Sequence, residues 1–239
     1  MMRQILRTIV KKPLHLLGLD LVRYNPRYSL GEYAYVASLD IKTVIDVGAH
    51  TGEFARMIKT ILPEATIFSF EPLKAEFESL RQQMQNGAGF MAFNCAVGDR
   101  NETVEIHRSS YAQSSSLLPM AQLHKEAFPV SAGQSVEMVE VKRLDDVLRD
   151  YELIREILIK IDVQGYEDKV IAGADQTIDK AKAIIVEVSF RKLYEGQPLF
   201  ENIFRLLSGK GFKYFGNLYQ LLSPIDGAPL QADALFVRT

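Results

Sequence analysis

The sequence predicts an α/β fold: a doubly wound, mostly parallel, seven-stranded sheet of the Rossmann-like kind, flanked by helices. Three observations predict it. Short apolar runs rich in β-branched residues alternate with stretches of helical spacing from residue 42 onward. A glycine-containing turn follows the first apolar run, where such a sheet opens for a ligand. The last two runs lack a helix between them, so we expect them to pair antiparallel.

The first half of the predicted sheet follows a linker and a helix in residues 25–40, the helix ending near Leu39. The apolar, β-branched runs that predict buried strands here are 43–48, 65–72 and 90–99. Helical spacing predicts helices at 53–62 and 73–85. Pro63 and the pair Asn86-Gly87 end these two helices, because proline cannot continue a helix and glycine favours its end.

The second half of the sheet follows the same alternation. Its predicted strands are 157–165, 183–190, 212–217 and 232–239. Its predicted helices are 166–178 and 201–211. The serine-rich, weakly patterned segment 107–138 interrupts the alternation. Loops of that length are uncommon in compact domains, so this segment predicts either a lid over a binding site or a disordered stretch.

The composition is that of an ordinary globular protein, with 47% hydrophobic and 24% charged residues. A formal net charge of −2 supplies no basic field, so we expect no nucleic-acid partner. The lone cysteine, Cys95, cannot form an internal disulfide and is expected to be a small buried hydrophobe, which fits a reducing, cytoplasmic location. No uninterrupted apolar run reaches about 18 residues, so no transmembrane helix is expected.

The domain organisation predicted is a helical extension at residues 1–40 and one α/β domain at residues 41–239. Two amphipathic pieces meet at Pro13 within residues 1–24. They could pack on the domain or on a second subunit, or contact the anionic inner membrane surface reversibly. The usual role of short amphipathic helices favours packing.

The stretch "VIDVGAHTGE", residues 44–53, ends a predicted strand and begins a predicted helix. Gly48 would let the chain bend sharply, and Gly52 would let the helix begin close to a ligand. Free N–H groups of the turn and the helix N-terminus would then form a positively biased cradle. The middle glycine of the dinucleotide fingerprint is missing, which argues against a nicotinamide oxidoreductase. Asp46, just before the turn, favours a cationic or zwitterionic ligand.

Glu71-Pro72 closes the next predicted strand, about 20 residues past the turn. An acid at that place can accept hydrogen bonds from both hydroxyls of a ribose. The site therefore favours a nucleoside whose other end is positive and carries no phosphate. S-adenosylmethionine has that shape, with adenosine, a sulfonium and an amino-acid tail.

Six ordered segments closely resemble the FkbM-type methyltransferases, which are S-adenosylmethionine-dependent O-methyltransferases of the seven-stranded class. The segments are "VIDVGAHTGEFA", "FSFEPLKAEFESL", "NCAVGD", "VKRLDDVL", "LIKIDVQGYEDKVIAGA" and "IIVEVSFRKLYEGQPLFENIFRLLSGKGF". The resemblance runs from about residue 43 to residue 239. The glycine turn alone would be a weak sign; the ordered set is specific.

The resemblance implies a cofactor site made of Asp46, Gly48, Ala49, His50, Gly52, Glu71, Pro72, Ala96, Asp99 and Asp162. In that site Asp46 and the two glycines shape the pocket for the methionine half, and Glu71 takes the ribose. Ala96 and Asp99 lie by the adenine. The family often has Asn where this chain has His50. If the backbone N–H of residue 50 is what the site uses, the change from Asn to His has no effect. The alternative is that His50 acts as a base.

The stretch "KIDVQGYE", residues 160–167, carries the candidate catalytic groups. Lys160 and Asp162 alternate on one strand face, and Glu187 lies across the sheet in an apolar strand, where an unpaired carboxylate would be costly. Methyl transfer requires aligned reactants and a group that removes the acceptor proton. Asp162 is the first candidate and Glu187 the second. The structural alternative is a Lys160–Glu187 ion pair, with Asp162 capping the next helix.

A divalent metal is a further alternative, since Asp162 and Glu187 could supply two oxygen ligands to Mg²⁺. The family usually has Glu where this chain has Gln164, which removes one negative charge. Two acids on adjacent strands are not a specific signal, so no residue is assigned to a metal. Four residues near the strand ends line the acceptor pocket or pack at its rim: Tyr166, Phe190, Arg191 and Tyr194.

The predicted function is therefore methyl transfer from S-adenosylmethionine to a hydroxyl oxygen. Family analogy alone points to a sugar hydroxyl of a polysaccharide or of a glycosylated natural product. The rival from another class is a non-catalytic nucleoside-binding module that serves in an assembly. The sequence leaves open whether the chain forms a homo-oligomer.

Overall fold

The computed structural model describes residues 31–85 and 88–238. The chain divides into two units between Ala34 and Tyr35, and the α/β domain lies in the second. The amphipathic pieces predicted in residues 1–24 and the helix stop predicted at 86–87 lie outside the described residues. Within the described ranges, no helix combines the length and apolar character needed to cross a membrane.

The prediction of a helix that ends near Leu39 is wrong as to the kind of helix. The structure has 3-10 turns at Gly31–Tyr33 and Val36–Ser38 instead. Gly31 and Asp40 have φ values of +54° and +55°, and left-handed backbone at both ends of a segment interrupts an α-helix. The segment therefore stays short and 3-10 in character.

The strands of the described residues are β1 (Thr43–Val47), β2 (Thr66–Phe70), β3 (Phe90–Phe93), β4 (Ala96–Val97), β5 (Glu102–Ser109), β6 (Gln134–Lys142), β7 (Ile157–Ile161), β8 (Ala181–Ser189), β9 (Lys213–Leu222) and β10 (Pro229–Val237). The helices are α1 (Glu53–Ile61), α2 (Lys74–Met84), α3 (Gln122–Ala127), α4 (Leu144–Val147), α5 (Glu167–Ala172), α6 (Asp175–Asp179) and α7 (Phe200–Gly209).

The predicted seven-stranded sheet is confirmed, with the order β3-β2-β1-β7-β8-β10-β9 within the described residues. Strands β3, β2, β1, β7 and β8 run parallel, while β10 pairs antiparallel with both β8 and β9. The strand order reverses between β1 and β7. In an open sheet of this kind, the crevice for a ligand lies at the carboxyl ends of the two strands that flank this switch point.

The core of the domain lies along β1 and β7, both of which are buried over their whole length. Such strands need apolar side chains on both faces, because helices cover the sheet on each side. One cluster of buried aliphatic and aromatic side chains joins these strands to β8, β10 and the covering helices. This rigid centre holds the strand ends that carry the candidate site.

The single strand predicted at 90–99 is broken in two. β3 belongs to the main sheet, whereas β4 joins a separate three-stranded sheet of order β4-β6-β5. The Asn94 amide lies at the break and donates to the carbonyl oxygens of Glu71 and Pro72, each at 2.9 Å. These bonds hold the chain where it leaves the main sheet.

Segment 107–138, predicted to be a long loop, is folded. β5 and β6 form an antiparallel ribbon, and α3 lies in the connection between them. The alternation that marks a strand is weak here because Val136 and Met138 are exposed apolar residues in β6. Whether the connection opens and closes over the site stays a prediction.

Candidate active site

The turn after β1 packs against the loop after β7. Gly48 has φ +85°, and a Cβ atom there would lie 1.8 Å from the backbone oxygen of Asp162. Gly52 precedes α1 at φ +90°, and a Cβ atom there would lie 2.7 Å from Leu80 Cδ1. Both glycines are therefore needed for the turn and its packing. The close approach that excludes a side chain at Gly48 comes from the protein's own backbone.

The prediction that the N–H groups of this turn are free to bind a ligand is wrong for most of them. The N–H groups of Gly48 and Ala49 donate to the Phe70 carbonyl, at 3.0 and 2.9 Å. The N–H group of Gly52 donates to the Ala49 carbonyl at 2.9 Å. The His50 N–H donates to Glu71 Oε2 at 2.8 Å. These groups are engaged because the turn lies against the end of β2.

Glu71 is held from two sides by the backbone. Its Oε2 accepts from His50 N–H, and its Oε1 accepts from Leu73 N–H at 2.9 Å. Its side chain is buried, and burial raises its pKa to about 7 in spite of these two hydrogen bonds. His50 makes its bond at φ +49°, a conformation in which His and Asn are enriched among non-glycine residues.

A cavity of about 300 Å³ lies at the switch point. Most of the predicted site residues line it: Gly48, Ala49, His50, Glu71, Pro72, Ala96, Lys160, Asp162 and Glu187. Sequence reasoning missed the wall supplied by the β5–β6 connection, namely Ala112, Gln113, Ser115, Ser116 and Leu117. The signal for that wall was the unusual length of segment 107–138, which indicated a functional loop without showing which residues face the site.

Three predicted cofactor residues are not part of the cavity wall: Asp46, Gly52 and Asp99. Gly52 is packed towards α2. Asp99 pairs with Arg100 at 3.1 Å and with Lys169 at 3.6 Å.

Asp46 is completely buried in the centre of the sheet, in register with Ser69 of β2 and Lys160 of β7. Within the described residues, neither of its carboxylate oxygens has a hydrogen-bond partner. Burial raises its pKa to about 6, and the neighbouring Lys160 charge acts in the opposite direction. Asp46 therefore affects the cavity through Lys160 and not as part of its wall.

The side-chain amide of Gln164 donates a hydrogen bond to each of the Asp162 and Glu187 carboxylates. Lys160 Nζ donates to Asp162 Oδ2 at 2.7 Å, while Gln164 Nε2 donates to Asp162 Oδ1 at 2.9 Å and to Glu187 Oε2 at 2.8 Å. The predicted Lys160–Glu187 ion pair is therefore wrong, because Lys160 reaches the nearer carboxylate of its own strand. The predicted capping role of Asp162 is wrong too. Glu167 accepts the Gly165 N–H at 2.9 Å where α5 begins.

The pKa values of these two acids shift in opposite directions. Burial acts to raise the pKa of Asp162, but the Lys160 charge and the hydrogen bonds from Lys160 and Gln164 outweigh it and hold the pKa below the ordinary value. Burial and the charge of Asp162 raise the pKa of Glu187 well above its usual range. Asp162 is thus ionised at neutral pH, and Glu187 is the group that holds a proton more tightly.

The four predicted rim residues divide into two groups. Tyr166 lines the cavity, and Tyr194 is fully buried with its hydroxyl 2.9 Å from Gln164 Oε1. Phe190 packs on Phe200, and Arg191 pairs with Asp226 at 2.9 Å, so neither reaches the cavity.

Cys95 is a buried free thiol at the edge of the cavity, as the sequence predicted for a small hydrophobe. Burial raises its pKa to about 11, which keeps the thiol protonated and a weak nucleophile. Across residues 31–85 and 88–238, no group of three or more His, Cys, Asp or Glu side chains is placed to hold a metal ion.

Comparisons with known proteins agree with this geometry. A sequence profile described as "Methyltransferase FkbM domain" matches residues 46–214. The 2-O-methyltransferase NoeI of Sinorhizobium fredii is 32% identical over 199 residues, covering 77% of this chain and 79% of that protein. The 31-O-demethyl-FK506 methyltransferase FkbM of Streptomyces tacrolimicus is 26% identical over 194 residues, covering 71% of this chain and 72% of that one.

A solved structure, that of methyltransferase FkbM from Methylobacillus flagellatus KT, shares the fold. Its TM-score is 0.51 at 14% sequence identity, over 83% of this chain. The chain spans 44% of that longer chain, so this likeness concerns the fold alone.

Proposed function

The chain belongs to the FkbM methyltransferase family, and from that premise we propose that it transfers a methyl group from S-adenosylmethionine to a sugar hydroxyl of a polysaccharide or a glycosylated natural product. One observation carries the proposal. The glycine turn and Glu71 line the same cavity as the carboxylates of Asp162 and Glu187. Glu71, the proposed ligand of the ribose, and the carboxylates that could accept a proton therefore face the same cavity. The relatives named for 2-O and 31-O methylation support a hydroxyl acceptor.

The charge of the cavity suits this cofactor. Within the described residues, four carboxyl groups line the cavity beside a single lysine: Glu53, Glu71, Asp162 and Glu187 against Lys160. The unpartnered oxygens of Asp46 add further negative charge behind the wall. Asp162 and the ionised fraction of Glu71 supply the negative charge of the wall, whereas the raised pKa of Glu187 favours its neutral form. Negative charge at these places favours a sulfonium and an ammonium and disfavours the diphosphate of a nicotinamide dinucleotide. The volume of about 300 Å³ is at the lower end for small-molecule sites.

In this mechanism the bound cofactor supplies an electrophilic methyl group. Glu71, fixed by the His50 and Leu73 N–H groups, would accept hydrogen bonds from the ribose hydroxyls. Asp162 accepts a hydrogen bond from the acceptor hydroxyl and orients its oxygen for in-line attack. As the carbon–oxygen bond formed, the methyl carbon–sulfur bond would break and the neutral thioether would leave, and the hydroxyl proton, now acidic, would pass to Asp162. Glu187 is the more basic of the two acids and would take that proton from Asp162 when Glu187 is itself ionised.

Calorimetry and labelled transfer test the proposal. S-adenosylmethionine and S-adenosylhomocysteine should bind, and NAD should not. Incubation with a panel of glycans and methyl-labelled cofactor should then give a product heavier by one methyl group. Tight NAD binding without S-adenosylmethionine binding would contradict the cofactor assignment. Cofactor binding without transfer to any acceptor would favour the non-catalytic binding module.

Glu71→Gln should weaken S-adenosylhomocysteine binding by about 1–3 kcal/mol, because an ionised acceptor of two hydroxyls becomes a neutral amide. In the wild type the pKa of Glu71 is about 7, so its ionised fraction rises between pH 6 and pH 8. Affinity should rise over the same interval by up to about tenfold, and the variant should lose that rise.

The matched control for this prediction is Glu53→Gln, which removes a carboxylate from the same cavity at an exposed position. It should change the affinity by less than about threefold, as expected for an exposed charge. Melting curves check that Glu71→Gln still folds, since one backbone N–H loses its acceptor. Equal affinity losses in the two variants would move the ribose contact away from Glu71.

A further inference from the structure

Gln164 occupies a position with an unusual set of contacts. It lies in the loop between β7 and α5 at φ +56°, and its side chain lines the cavity. Its amide nitrogen is 2.9 Å from Asp162 Oδ1 and 2.8 Å from Glu187 Oε2. An amide nitrogen carries two hydrogens, so each carboxylate receives one of them.

The orientation of this amide is determined by its other end. Gln164 Oε1 lies 2.9 Å from the Tyr194 hydroxyl, which is also 3.0 Å from the Ser114 carbonyl oxygen of the β5–β6 connection. A flipped amide would place its oxygen against both carboxylates, which is electrostatically unfavourable. Ser116 Oγ donates to the Gln164 backbone carbonyl at 2.6 Å and so holds the main chain. Gln164 is therefore held both at its side-chain amide and at its main-chain carbonyl.

Each of the two carboxylates has a second hydrogen-bond donor besides the Gln164 amide. Lys160 pairs with Asp162, and Gln231 Nε2 donates to Glu187 Oε2 at 2.7 Å. Between the facing oxygens of the two carboxylates lies the Gln164 nitrogen. A Mg²⁺ or Mn²⁺ ion that bridged these oxygens would need the same space, since its oxygen ligands lie at about 2.0–2.2 Å.

We infer that Gln164 is a positioning residue for methyl transfer, which holds the Asp162 and Glu187 carboxylates as a pair and takes the place of a bridging divalent cation. The inference rests on the proposed function, because the Asp162 and Glu187 carboxylates are the proton acceptors of the proposed reaction. The single hydroxyl hydrogen of Tyr194 is shared between the Gln164 amide oxygen and the Ser114 carbonyl oxygen, which links the amide to the β5–β6 connection. Chelating agents should therefore leave the activity of the wild-type protein unchanged.

The experiment compares the wild type with Gln164→Glu and Tyr194→Phe. Gln164→Glu is nearly isosteric and turns the shared donor into a third carboxylate. Tyr194→Phe removes one hydroxyl and leaves Gln164 in place, so it serves even if the first variant fails to fold. Gln113→Glu is the matched control, because it adds the same charge to the cavity wall at an exposed residue whose side chain pairs with Tyr111.

The first measurement is Mn²⁺ titration of each protein without substrates, followed by electron paramagnetic resonance. Gln164→Glu should bind Mn²⁺ at least about tenfold more tightly than the wild type, since oxygen ligands replace the amide donor. Gln113→Glu should stay within about twofold of the wild type. Wild-type binding as tight as that of Gln164→Glu would overturn the inference. This arm needs no acceptor, so it remains decisive if the proposed function fails.

The second measurement is methyl transfer to the acceptor found with the glycan panel. Gln164→Glu should lower kcat by about 10²-fold and Tyr194→Phe by about 3–10-fold, with KM for the acceptor and affinity for S-adenosylhomocysteine nearly unchanged. A merely structural role would lower the melting temperature without this split between kcat and KM. Native kcat in both folded variants would overturn the inference, whereas absence of transfer by the wild type would overturn the proposed function.

Discussion

Asp162→Asn should keep the fold and the affinity for S-adenosylhomocysteine and should lower turnover by roughly 10²–10⁴-fold, the range for losing general-base assistance. The Asp162 carboxylate lines the cavity, and Lys160 with Gln164 holds it ionised in one orientation. Asparagine has nearly the same shape but cannot take the acceptor proton. The measurement is single-turnover transfer of labelled methyl at saturating cofactor.

Asp226→Asn is the matched control, because Asp226 is an acid paired with Arg191 outside the cavity. It should leave turnover within about twofold of the wild type, as expected for a surface ion pair. Normal turnover in a folded Asp162→Asn protein would move the base to Glu187. Loss of wild-type activity on chelation, with recovery on adding Mg²⁺, would instead make Asp162 a metal ligand.

The pH dependence separates the two acids as well. The pKa of Asp162 lies below its ordinary value, so a base at Asp162 remains ionised as the pH falls from 8 to 6. The pKa of Glu187 is raised well above its ordinary value by burial and by the charge of Asp162, so activity that depended on a Glu187 base would be lost at a higher pH than activity that depended on Asp162. With Asp162 as the base, turnover at saturating cofactor should be nearly flat between pH 6 and pH 8.

Gly48→Ala should destabilise the domain by about 3–5 kcal/mol, the combined cost of a strained backbone and an overlap in a packed interior. The added Cβ atom would lie 1.8 Å from the backbone oxygen of Asp162, and φ is +85°. Relief of that overlap requires the turn or the loop after β7 to move. The free energy of unfolding is measured by urea denaturation.

Gly211→Ala isolates the backbone part of this cost. Gly211 has the same φ of +85°, and nothing lies within 4 Å of the Cβ position. This control should lose only about 1–2 kcal/mol. The difference between the two variants is the cost of the overlap with Asp162. Equal losses would show that the turn and the loop after β7 are not in close contact in solution.

Several features of the fold and of the candidate site were determined by the sequence alone, because they depend on neighbouring residues. Alternating apolar and helical patterns predicted the seven-stranded sheet and its antiparallel end. The spacing of Gly48, Gly52 and Glu71 predicted a nucleoside site at the switch point, where the structure has a cavity lined by Gly48 and Glu71. Parallel strands bring their carboxyl ends to one edge of a sheet, so residues that close such strands are expected to meet there.

Only the tertiary structure decided which residues form hydrogen bonds with one another in the candidate site. Gln164 meets Tyr194 across 30 residues and Ser116 across 48 residues of sequence, and no local pattern records such contacts. The same holds for the β5–β6 connection, whose residues line the cavity although no local pattern in the sequence marks them.

Strand register is the physical reason for the remaining corrections. The register of β1 with β2 and β7 buries Asp46 beside Ser69 and Lys160, behind the cavity wall. Asp162 follows β7 directly and lies two residues after Lys160, so the lysine reaches this nearby carboxylate and does not pair with Glu187. Hydrogen-bond partners depend on which backbones lie side by side, and that is a property of the packed sheet.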